Sequence, residues 1–126
     1  DKAVLEAAYD DAQGVTARFN KNLLARINRE LGGRFDLDAF VHVARYDEAL
    51  GRVEMHLESL REQVVPVESL DLEVRFAAGE RIHTESSHKY SRHEIEELSR
   101  SAGYALERQW LDAAGRFSLN RLRPLD

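Results

Sequence analysis

The sequence predicts an α+β domain with helices at the front, an antiparallel sheet through the middle and one capped helix near the C-terminus. Three observations carry that expectation. Apolar residues recur every three or four positions in the first third of the chain, and they alternate with polar residues after Gly51. A serine and a glutamate three residues apart then open a second helical stretch at Ser91.

Taken in order, residues 3–10 form a short helix, separated near Gly14 from a longer one. In the longer helix Val15, Phe19, Leu23, Leu24, Ile27 and Leu31 line a single stripe. Gly32-Gly33 ends it, because glycine adopts the left-handed cap conformation at little cost. Asp36 is a good N-cap for a brief helical turn. The period then changes to two. Val53, Met55 and Leu57 alternate with Arg52, Glu54, His56 and Glu58, and Leu70, Leu72, Val74 and Phe76 alternate with Asp71, Glu73 and Arg75. Each run reads as a strand with one buried and one wet face. Pro66 lacks a backbone donor and confines residues 64–67 to an edge or a bend. Ser91 and Glu94 cap a helix that stops at Gly103, and strands near residues 105–111 and 117–122 flank a turn at Ala113-Ala114-Gly115. Trp110, inside an alternating strand, is expected in the core.

Composition removes several function classes. The chain has 126 residues, of which 43 % are hydrophobic, so it is read as a single domain, residues 1–126, around one core. It has no cysteine, which excludes disulfide scaffolds, thiolate metal sites and cysteine nucleophiles. No apolar run approaches the roughly 20 residues of a membrane span, and the first residues lack the charged, then apolar, then small-residue order expected of a signal peptide. A cytoplasmic location is expected, with no membrane partner. There is no initiator methionine, so the chain is expected to begin inside a longer protein. Eighteen basic and 23 acidic residues give a net charge of −5, and the basic ones are scattered. Nucleic-acid binding needs a concentrated basic face, so that partner class is set aside.

The stretch from Ile82 to Tyr90 is polar although it lies between a strand and a capped helix. If extended, it places His83, Glu85 and Ser87 on one face, with same-side neighbours about 6.5–7 Å apart. A carboxylate and a hydroxyl on one face suit a ligand with two separated polar atoms, such as imidazole. An edge strand with a solvated polar face accounts for the same residues. His83, His88 and His93 recur every five residues beside Glu85, a spacing that shares no face of a helix or a strand, so no metal site is expected. There is no G-x-S-x-G elbow and no G-x-G-x-x-G after a strand, so no catalytic or cofactor-binding residues are assigned. Tyr9-Asp10-Asp11 reads as a solvated acidic cluster at a helix end.

The block from Ala8 to Leu24, beginning Ala8-Tyr9-Asp10-Asp11-Ala12-Gln13-Gly14, resembles a signature of the histidine-specific, S-adenosylmethionine-dependent methyltransferases. The similarity continues through Ile27-Asn28-Arg29-Glu30-Leu31, Phe35-Asp36, Phe40 and Val53-Glu54-Met55-His56-Leu57. It extends over Gly79 to Tyr90, then Gln109-Trp110-Leu111-Asp112 and Phe117-Ser118-Leu119. The resemblance implies the C-terminal, substrate-binding portion of an enzyme that methylates the α-amino group of L-histidine to the betaine hercynine, in ergothioneine biosynthesis. It implies that S-adenosylmethionine is bound by a Rossmann-like domain absent from this chain, which would be the chain's own partner, and that this portion alone is inactive. Glu85 and Ser87 are then expected to contact the imidazole, and Tyr9 the substrate towards its amino-acid end. Ser86 and His88 belong to the same binding block. His88 stands where tyrosine or cysteine is expected, and Leu111 where threonine is usual. Two alternatives follow: the same architecture acting on a modified histidine, and a non-catalytic ligand-binding or interaction module.

Overall fold

The computed structural model describes residues 1–126 and has the α+β class expected. The chain forms two compact units, residues 1–88 and 89–126. The first contains α1 (Lys2–Tyr9), α2 (Val15–Leu31), β1 (Phe40–Asp47), β2 (Arg52–Ser59), β3 (Gln63–Val67), β4 (Leu72–Phe76) and β5 (Arg81–His88). Strands β1, β2 and β5 make an antiparallel sheet in that order, so β5 is an edge. Strands β3 and β4 form a separate antiparallel pair, in which Pro66 lies on a strand that is an edge by construction.

Helix α2 begins without a side chain at its N-cap, since that position is Gly14 in the left-handed region. Asp11 supplies the missing acceptor: its carboxylate takes the backbone N–H of Val15 at 3.0 Å and of Thr16 at 2.8 Å. These two bonds hold its pKa down at about 2. The aspartate expected to be merely solvated is therefore the cap of the long helix. At the other end Gly32, at φ +63°, gives its N–H to the Ile27 carbonyl and closes the helix where the sequence predicted.

The stripe of α2 buries Leu24 with Phe35, Ala39, Phe40, Leu57, Val65, Val67 and Phe76, while Ile27 and Leu31 pack at the margin. Phe40 is wholly buried, edge-on to Phe76 at 5.3 Å and tilted against Phe35 at 5.8 Å. Strand β2 alternates as predicted, with Val53, Met55, Leu57 and Ser59 facing inward. Two expectations need correction here. Strand β1 was not anticipated, because Phe40, Val41, Val43 and Ala44 spread apolar residues over both faces and the inward residue between them is the polar His42. Leu70 is not part of β4; it lies in a 3-10 turn over Glu68–Leu70, after which Asp71 takes φ +48° and breaks the extended run.

The second unit contains α3 (Arg92–Ser101) and the hairpin β6 (Tyr104–Leu111) and β7 (Ser118–Pro124). The capping box at Ser91 forms as read: Ser91 Oγ accepts from Glu94 N at 3.3 Å, and the Glu94 carboxylate accepts from Ser91 N at 2.6 Å. Asp112 fastens the hairpin turn by accepting from the backbone of Arg116 and Phe117 at 2.6 and 2.8 Å, which lowers its pKa. Trp110 is not a core residue. It is 37 % exposed, and the guanidinium groups of Arg108 and Arg121 lie 4.8 and 5.8 Å from its ring.

Candidate functional site

Strand β5 carries the polar block, and its register decides which side chains meet. Met55 pairs with Glu85, but the next residue, His56, pairs with His83, so Thr84 is an extra residue bulged out of the ladder. Its hydroxyl donates to the Met55 carbonyl at 2.9 Å, beside the break. One inserted residue exchanges the faces of everything beyond it. Glu85 and Ser87 consequently lie opposite Met55 and Val53, on the sheet's inner face. His83 lies opposite His56, and Ser86 opposite Glu54, on the outer face. The expected shared face of His83, Glu85 and Ser87 therefore holds for the last two only.

On the inner face Tyr9, the last residue of α1, meets Ser87 with 2.7 Å between the two oxygens. Tyr9 thus stands beside Ser87 on this face. Glu85 lines an open cleft of about 270 Å³ between α2 and the sheet. Phe19 and Leu23 form its apolar wall, Asn20, Asn22 and Arg26 add polar atoms from α2, and Met55 and Thr84 complete it. Behind the cleft lies a buried network that the sequence reading missed. His42 Nε2 is 2.7 Å from the Tyr9 carbonyl, His42 Nδ1 is 2.9 Å from Asn20 Nδ2, and Asn20 Nδ2 also donates to the His56 carbonyl at 3.1 Å. The only sequence signal for it was a polar residue inside each of two otherwise apolar stripes.

The outer face gathers a different set. The His56 and His83 rings stack at 4.8 Å, and Ser86 Oγ lies 3.0 Å from His83 Nε2. Arg52 donates twice to one oxygen of Glu54, at 2.6 and 2.9 Å, which lowers the pKa of that carboxyl. Burial, then the neighbouring His83, lowers the pKa of His56. His88 lies opposite Arg52 on this face, so neither Ser86 nor His88 joins Glu85 and Ser87. The histidines are also grouped differently from the sequence spacing. Glu54, His56 and His83 come together, with donor atoms up to 4.8 Å apart.

A model of the histidine-specific, S-adenosylmethionine-dependent methyltransferases matches residues 1–124. Over 120 residues the chain is 48 % identical to the histidine N-alpha-methyltransferase of Mycolicibacterium smegmatis. Over the same length it is 49 % identical to the histidine N-alpha-methyltransferase of Mycobacterium tuberculosis. In both cases the match covers 95 % of this chain but 37 % of the relative. With a family model spanning nearly every residue and two relatives agreeing along it, the chain belongs to the histidine-specific, S-adenosylmethionine-dependent methyltransferase family.

Proposed function

We propose that this chain is the histidine-gripping portion of an enzyme that methylates the α-amino group of L-histidine. The observation that supports it most directly is the inner face of β5, where Glu85 lines the cleft and Ser87 meets the phenol of Tyr9. A carboxylate accepts from one imidazole N–H, and a hydroxyl two residues along the strand, about 6.5–7 Å away, addresses another polar atom of the ligand. A histidine entering beside Glu85 exchanges the Tyr9–Ser87 hydrogen bond for contacts to itself. The apolar wall of Phe19 and Leu23 and the thioether of Met55 suit the faces of a flat ring.

S-adenosylmethionine is proposed to bind elsewhere in the enzyme, on the strength of two features of this chain. Every strand pair is antiparallel, and no glycine-rich turn leads from a strand into a helix. What these residues contribute is position. Transfer of a methyl group to an amine is a displacement that needs a neutral nitrogen held in line, and holding the far end of the substrate supplies that alignment. His88, the departure from the family pattern that pointed to a modified histidine, lies on the outer face, so L-histidine remains the acceptor proposed.

The test is incubation of the full-length protein with S-adenosylmethionine and L-histidine, with products resolved by mass. Stepwise mono-, di- and trimethylation is expected. Cofactor binding without any methylated histidine would reject the acceptor while leaving the family membership intact.

A further inference from the structure

We infer that His42 and Asn20 are positioning residues for Tyr9, a role that rests on the histidine-binding reading of the cleft. Tyr9 ends α1, and the last carbonyls of a helix have no partner within it. Its carbonyl oxygen can only accept, so His42 Nε2, at 2.7 Å, carries the hydrogen. In the neutral ring Nδ1 is then a bare acceptor, and it faces Asn20 Nδ2 at 2.9 Å. The second hydrogen of that amide nitrogen goes to the His56 carbonyl at 3.1 Å. Turning the amide over would set its oxygen against two acceptors, so the whole chain of donors has one direction. Asn20 and His42 are 4 % and 7 % exposed, which leaves little water to substitute for a missing partner.

The network joins four elements at one point: α1 through the Tyr9 carbonyl, β1 through His42, α2 through Asn20 and β2 through the His56 carbonyl. No apolar contact has that directionality. It fixes the backbone of Tyr9, whose phenol meets Ser87 on the face of β5 that also carries Glu85. Asn20 also lines the cleft itself, so the same side chain borders the ligand space and anchors the network.

A double-mutant cycle in the full-length enzyme tests this, using Tyr9→Phe, His42→Leu and the pair, read as kcat and KM for L-histidine. Both single variants are expected to lower kcat/KM. Because His42 acts through Tyr9, the pair should fall within about twofold of Tyr9→Phe alone. Losses that multiply would overturn the inference and leave His42 a general stabiliser. His42→Gln, which keeps an N–H donor and an acceptor, should recover part of the activity. Asn20→Ala replaces His42→Leu in the cycle if the latter gives no cooperative melt. The ring-nitrogen NMR shifts of His42 are read separately from activity: Nε2 protonated with Nδ1 bare is expected, and the opposite tautomer rejects the network. A wild-type enzyme that keeps this tautomer but does not use histidine would remove the substrate reading and, with it, the positioning role.

Discussion

Replacing Glu85 by alanine in the full-length enzyme is the sharpest probe of the proposed grip. A hydrogen bond to a charged partner contributes about 1.5–3 kcal/mol where it is well shielded. Glu85 is an exposed residue at the mouth of an open cleft, with the apolar Met55 opposite it in the ladder, so the lower end of that range applies. A loss of about 1.4 kcal/mol corresponds to tenfold weaker binding. The expected result is therefore an increase of roughly tenfold in the Kd for L-histidine by titration calorimetry, with cofactor affinity unchanged. Glu85→Gln keeps an acceptor but removes the charge, and should lie between the two. The reasoning also predicts discrimination: an analogue lacking the ring N–H gains nothing from Glu85, so it should bind the wild type and Glu85→Ala alike. A histidine Kd that moves less than about twofold in Glu85→Ala would refute the assignment of this carboxylate to the imidazole.

Three further outcomes follow from the fold. Phe40→Ala empties a wholly buried site packed by Phe35 and Phe76, and should cost about 3–5 kcal/mol in urea denaturation. Asp11 has its folded pKa depressed to about 2 from 3.8, so its stabilising contribution is present above the unfolded value and lost as pH falls through the folded one. Asp11→Asn should therefore flatten the acid limb of the stability curve between those two values. His56 is shifted down by burial and by His83, so the unfolded chain binds its proton first as pH falls below 6.5. The wild type should then lose stability on acidification from pH 6.5, and His56→Leu should lose less, as measured by urea midpoints across that window.

Local signals were legible wherever local forces decide conformation. The C-terminus of α2 and the capped start of α3 follow from glycine and capping chemistry that acts within a few residues, and the sequence carried both. The alternation of β2 survived because every inward position of that strand is buried and every outward one is part-exposed. Strand β1 escaped notice because its inward face includes His42, and a buried histidine looks like a surface residue until its partners are known. Asp11 escaped for the same reason, since its role depends on the bare Gly14 that follows it.

The site divides along the same line. The residues themselves, Tyr9, Glu85 and Ser87, were in the sequence, as a polar block where an apolar strand was due and as a likeness to a known family. The shared face of Glu85 and Ser87 was legible too, but the departure of His83 from it was not. A single bulge at Thr84 sends Glu85 and Ser87 inward and His83 and Ser86 outward, and nothing in residue type or spacing announces it. Strand alternation is a property of one chain, whereas register is a property of two. Residue types set which chemistry is present, and the pairing of β5 with β2 sets which of it faces the cleft.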